Sequence, residues 1–123
     1  MKYLIKYPLE FIVEDKKDTN LDINVVLETD EVFFATIFTI ENIKNLIVKD
    51  QSSYFWATDM IIVKEVTKRA IYEAIGDIIE DGYLEMSLSK IGSTSDVYGE
   101  GSSFVTLQGK GHLSIVRNDN KIN

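Results

Sequence analysis

Residues 67–81 carry an apolar stripe that has to be buried. Ala70, Ile71, Ala74, Ile75, Ile78 and Ile79 recur at the three- and four-residue steps that put them on one face of a helix. Thr67 stands where an N-cap hydroxyl is wanted, and Gly82 stands where the chain must leave the helix. A stripe this wide needs a second layer to lie on. The remainder of the chain supplies strands.

Residues 2–13 alternate with period two, Tyr3, Ile5, Tyr7, Leu9, Phe11 and Val13 on one side and Lys2, Leu4, Lys6, Pro8, Glu10 and Ile12 on the other. Pro8 lacks an N–H, so this strand is expected at a sheet edge or bulged there. After the charged loop 14–20, Leu21, Ile23, Val25 and Leu27 form the inward set of a second strand. Val32 to Phe38 is apolar on both faces, as in an interior strand or one with a face covered by a partner. These three elements read as an antiparallel meander. Thr39 then caps a short helix over 40–49, with Glu41 in its first turn.

Residues 54–63 hold the single Trp of the chain and end in Met60-Ile61-Ile62-Val63, which predicts the central buried strand. In an unbroken strand Asp59 would lie on an apolar face, and an unpaired buried carboxylate is costly. A bend at Thr58-Asp59, with Asp59 bonded to local backbone N–H groups, relieves this. The functional alternative is an acid of raised pKa in a pocket. Residues 83–91 fit both periods, with a second helical segment after Gly82 favoured. The Gly- and Ser-rich 92–102 stretch is expected as a flexible loop. Residues 103–108 and 112–116 around Gly109-Lys110-Gly111 are expected as a hairpin, and 117–123 as a frayed polar tail. The expectation is one α+β domain over 1–123, an antiparallel sheet of the meander plus strand 54–63, covered by helices 40–49 and 67–81.

Charge narrows the function classes. The chain of 123 residues has 20 acids against 13 bases, a net charge of −7. Such a surface repels phosphate backbones and argues against nucleic-acid binding. It attracts basic proteins, although the same charge also serves plain solubility. There is no Cys, which excludes disulfides and thiolate chemistry and fits a reducing cytoplasm. No apolar run approaches the roughly 20 residues of a membrane helix, and the N-terminus does not read as a signal peptide.

Sites of catalysis are hard to find. His112 is the single histidine, too few for a zinc site, and no calcium-loop spacing is present. Gly109-Lys110-Gly111-His112-Leu113-Ser114 half-matches a dinucleotide loop but leads into a strand pattern, not a helix. No cofactor and no catalytic set can be named. The outer face of the 67–81 helix is the unusual feature. Glu73, Asp77 and Asp81 repeat at four-residue steps, with Glu80 beside them, and Lys68 and Arg69 stand at the opposite end. Both charge placements oppose the helix dipole by about 0.3–1 kcal/mol each. The row is therefore either a salt-screened surface or an acidic ridge for a basic partner.

The Tyr54–Val63 stretch with the Ile71 to Gly82 helix behind it resembles small bacterial proteins of the toxin-immunity type, over about residues 52–91. The resemblance implies a cytoplasmic, non-catalytic protein that binds and blocks a toxin domain. On that reading Glu73, Asp77, Glu80 and Asp81, with Asp15, Asp18, Asp22 and Glu28, would face a basic toxin surface. The alternative is a small-ligand protein or enzyme with a pocket near Trp56, Asp59, Tyr98, Glu100 and the 92–102 loop. A homo-oligomer pairing through strand 32–38 is a third reading.

Overall fold

The computed structural model describes residues 1–7 and 11–108. Its elements are β1 (Tyr3–Lys6), β2 (Asn20–Leu27), β3 (Glu31–Thr39), α1 (Ile40–Asp50), β4 (Met60–Val63), α2 (Lys68–Glu80), α3 (Leu84–Ser87), β5 (Ser89–Ser93), α4 (Thr94–Tyr98) and α5 (Phe104–Gln108). The class is α+β, as the sequence indicates. The meander is present: β1 pairs antiparallel with β2, and β2 with β3. Asp30 makes the β2–β3 turn in the left-handed region at φ 71°, a conformation Asp tolerates better than most residues.

The sheet is mixed, not antiparallel. On its second edge β3 is shared by two strands. Its first half pairs antiparallel with β5, Glu31 to Phe34 against Ser93 to Ser89. Its second half pairs parallel with β4, Thr36 to Thr39 against Met60 to Val63. This corrects the expected 54–63 strand. Because β5 already occupies the edge of β3 beside Phe34, β4 has no room to begin before Met60. Residues 54–57 run outside the sheet, and Trp56 and Tyr54 are 71% and 68% exposed. The central strand is β3.

Alternation along the strands builds two cores. Tyr3, Ile5, Ile23, Val25, Leu27, Phe33, Ala35 and Ile37 face α2 and α3, where Ile71, Ile75, Leu84 and Leu88 complete the larger cluster. On the other face Leu4, Val26 and Val32 pack with Phe104 and Leu107 of α5, with Val97 and Tyr98 alongside. Leu4 and Val26, expected on an outward face, are thus fully buried.

The residues of α5 were expected to open a hairpin. They form a helical turn because Phe104 and Leu107, three apart, both reach the second core. The rest of the expected hairpin and the 117–123 tail lie outside the described residues, as does Pro8. The 92–102 stretch contains the end of β5 and α4, which opens with a reciprocal capping box between Ser93 and Asp96. Asp30 ties both short helices to the turn: its carbonyl accepts the Thr94 N–H at 2.9 Å and its Oδ1 the Phe104 N–H at 2.7 Å.

The caps of the longer helices match their sequence signals. Thr39 accepts the Asn42 N–H and Thr67 the Ala70 N–H, both at 3.0 Å. Gly82 adopts φ 78°, with Tyr83 N–H on the Ile78 carbonyl and Gly82 N–H on the Ile79 carbonyl, a Schellman ending. Both edges of residues 32–38 are paired within the chain, which closes the edge-pairing route to an oligomer through that strand. Among the described residues no helix is long and apolar enough to cross a membrane.

Ile75 is fully buried and Val105 is 73% exposed. Urea unfolding of Ile75→Ala is expected to show a loss of about 2–5 kcal/mol, and Val105→Ala a change within about 0.5 kcal/mol.

Candidate functional site

Burial of Ile71 and Ile75 fixes the rotation of α2, and this determines what its other side presents. Glu73, Asp77, Glu80 and Asp81 all come out exposed. The first turn of α2 contains no acid and its last turn no base. Two of the bases at its start are engaged. Arg69 Nε donates to Glu73 Oε2 at 3.1 Å, and the Lys68 ammonium lies 5.4 Å from the ring centres of both Tyr7 and Phe11. Cation–π attraction of about 0.5–1 kcal/mol offsets the unfavourable place of Lys68 on the dipole.

The Schellman turn carries that acidic end directly into α3. Tyr83 is 55% and Met86 80% exposed, and Glu85 stands between them in the chain, also exposed. Two large apolar side chains are therefore set beside Glu80, Asp81 and Glu85. This pairing of exposed apolar surface with acids is not legible in the sequence, because 83–91 fits both periods. It resolves as four residues of helix, 84–87, followed by β5.

A groove of about 500 Å³ opens where β4 and β5 meet beside β3. Phe33 and Leu88 contribute apolar surface, with Asp59, Glu85, Met86, Ser87, Ser89 and Lys90 around them. Asp59 sits in the turn before β4 at φ 54°, and its carbonyl accepts the Thr36 N–H at 2.9 Å. The expected bend at Thr58-Asp59 is present. Its carboxylate partner is not local backbone, however: Oδ1 accepts the Ser89 hydroxyl at 2.9 Å and joins the starts of β4 and β5.

The sequence-derived pocket set does not share this groove. Of Trp56, Asp59, Tyr98 and Glu100, Asp59 alone lines it. Tyr98 packs beside the second core across the sheet, where its hydroxyl accepts from Asn24 Nδ2 at 2.8 Å and burial raises its pKa. Glu100 is exposed in the turn between α4 and α5. The acids outside α2 scatter as well. Asp18 accepts from the Asn42 and Asn45 amides of α1 at 3.0 and 2.8 Å, and Asp15 from the Lys17 N–H at 3.0 Å. His112 lies outside the described residues. Among the described residues no group of three or more His, Asp or Glu side chains is placed to hold a metal ion.

Lys90 at the groove is engaged, its ammonium 3.1 Å from Glu31 Oε2. The Thr29 hydroxyl donates to Glu31 Oε1 at 2.8 Å. The Thr29 hydrogen bond, then Lys90, hold the Glu31 carboxyl below its ordinary value.

No protein-family model, curated protein or solved structure is similar to this chain.

A carboxylate with a lowered folded pKa contributes stability above its unfolded titration range, and that contribution disappears as pH falls through the folded value. Urea unfolding of wild type and Glu31→Gln at a series of pH values checks this. The wild-type advantage is expected to be steady above pH 4.5, the ordinary value, and to shrink below it.

Proposed function

We propose that this chain is a non-catalytic protein-binding module, in the manner of an immunity or antitoxin-like inhibitor that covers a basic surface of a toxin domain. The observation that carries the proposal is the exposed Tyr83 and Met86 at the acidic end of α2, beside Glu80, Asp81 and Glu85. Aromatic and Met side chains are enriched in protein interfaces, where they anchor, while charges around them steer the encounter and exclude wrong partners. Glu73 and Asp77 extend the acidic surface along α2. Inhibition in this scheme is steric, with long-range attraction raising the association rate. It requires no cofactor.

The groove at the β4–β5 junction favours a second reading, a small-ligand site. Asp59 and Glu85 would engage a cationic or hydroxyl-bearing group there. A thermal-shift screen separates the two, since a ligand of the groove raises the melting temperature by mass action.

Capture of basic proteins from a source lysate tests the first reading. Glu73→Gln, Asp77→Asn, Glu80→Gln and Asp81→Asn together are expected to weaken capture at least tenfold at low salt and to flatten its salt dependence. Unchanged capture would sink the acidic-face assignment. Asp77→Asn and Asp81→Asn alone should stabilise the protein by about 0.3–1 kcal/mol in urea unfolding, because each relieves a charge opposed by the dipole. A gain in stability with a loss of binding is the expected signature.

A further inference from the structure

We propose that β4 is the two-fold contact of a homodimer, in which two copies join edge to edge into one continuous sheet. On one side β4 is hydrogen-bonded to β3, and among the described residues no strand pairs with its other side. The Thr36 N–H is bonded to the Asp59 carbonyl. By the alternation of a parallel ladder, Asp59, Ile61 and Val63 then direct their backbone groups to β3, and Met60 and Ile62 direct theirs outward.

Exposed strand edges in natural proteins are usually blunted by Lys, Pro or a bulge. The Met60-Ile61-Ile62-Val63 edge has no charge, no proline and a paired register without shift. Ile62, opposite Phe38, is 49% exposed on the sheet face where Phe55 lies edge-on to the Phe38 ring at 5.0 Å. Tyr54 and Trp56 flank Phe55 and are exposed, and this segment leads directly into β4.

A second copy is the occupant that such an edge fits. A two-fold axis through Ile61 sets Met60 opposite the partner's Ile62 and Ile62 opposite the partner's Met60. The outward N–H and C=O groups of both residues then exchange hydrogen bonds across the axis. Asp59 is the single carboxylate within 54–63, and its Oδ1 is held by the Ser89 hydroxyl at 2.9 Å, so the net charge of −7 is not concentrated at the contact. Large aromatics offer roughly 150–250 Å² each. The exposed fractions of Trp56, Tyr54 and Ile62 therefore supply on the order of 400 Å² per copy before the strand backbone is counted, about half of the ~800 Å² per partner of a standard interface. The expected dimer is a reversible one of about micromolar dissociation constant. This surface shares no residue with the acidic face of α2, and the proposal does not depend on the partner-binding reading.

Light scattering behind size exclusion, over a series spanning roughly three decades around micromolar concentration, tests it. The expected result is a monomer–dimer transition accompanied by a blue shift of Trp56 emission. Amide exchange at Met60 and Ile62 should slow with the dimer fraction, while Ile61 and Val63 are already protected in the monomer. Ile62→Lys is expected to weaken association at least tenfold, and Val105→Lys, exposed on α5, to leave it unchanged. A mass that stays monomeric at every concentration overturns the proposal. So does a dimer unaffected by Ile62→Lys. Protection of Met60 and Ile62 in a monomer overturns it as well, since the edge would then be covered within its own chain.

Discussion

β3 has to satisfy its backbone on both edges and cover both of its faces, and most of the remaining chain is arranged by that demand. Nearly every residue from Val32 to Phe38 is apolar, so neither face tolerates water. One edge is taken by β2 along almost its full length. The other is divided, with β5 arriving antiparallel and β4 parallel, so the starts of both strands meet near Ala35. Where two strands begin head to head, neither can continue. The sheet surface there gives way to a groove, and Asp59 closes the junction by holding Ser89. The groove is thus a consequence of how β3 is paired.

This also accounts for what was legible in the sequence. The inner positions of β2, the two-faced character of β3, the α1 and α2 caps and the Gly82 ending all follow from residues within a few positions of one another, and all are present in the structure. The extent of β4 does not follow from local pattern. Residues 54–59 look like a strand, but whether they can pair depends on β5, which is thirty residues away. The second core was hidden for a related reason. Four- and five-residue helices are too short to display a period, and α4 and α5 are placed chiefly by Asp30 and by the burial of Phe104 and Leu107. Leu4 and Val26 read as outward in the local alternation because the layer that covers them is built from residues about eighty to a hundred positions on.

For the candidate sites the pattern is similar. The acidic row of α2 depends on helical spacing alone, so its exposure could be anticipated from Thr67 to Gly82. The neighbouring Tyr83 and Met86 required knowing that α3 is a single turn ending at Leu88, whose side chain is drawn into the larger core. The pocket of Trp56, Asp59, Tyr98 and Glu100 joined residues on the strength of chemical type, and the sheet separates them. Tyr98 serves the packing of α4 instead, through Asn24 and through the Lys6 ammonium 5.6 Å from its ring.

The energetics of α2 bear on whether its acidic face needs an explanation outside the fold. Fully burying Ile71 and Ile75 contributes about 1.5–3 kcal/mol each, before their neighbours are counted. The opposed charges at its ends cost about 0.3–1 kcal/mol each, and Lys68 recovers its share on Tyr7 and Phe11. The core therefore holds the helix whatever its outer face carries. Core packing tolerates Asp77 and Asp81 on that outer face without calling for them. At the C-terminal end, where a basic residue would be the stabilising choice, Glu80, Asp81 and Glu85 stand beside two exposed apolar side chains. Acids set against the dipole and exposed apolar groups, at one end of one helix, are what the proposed basic partner would cover.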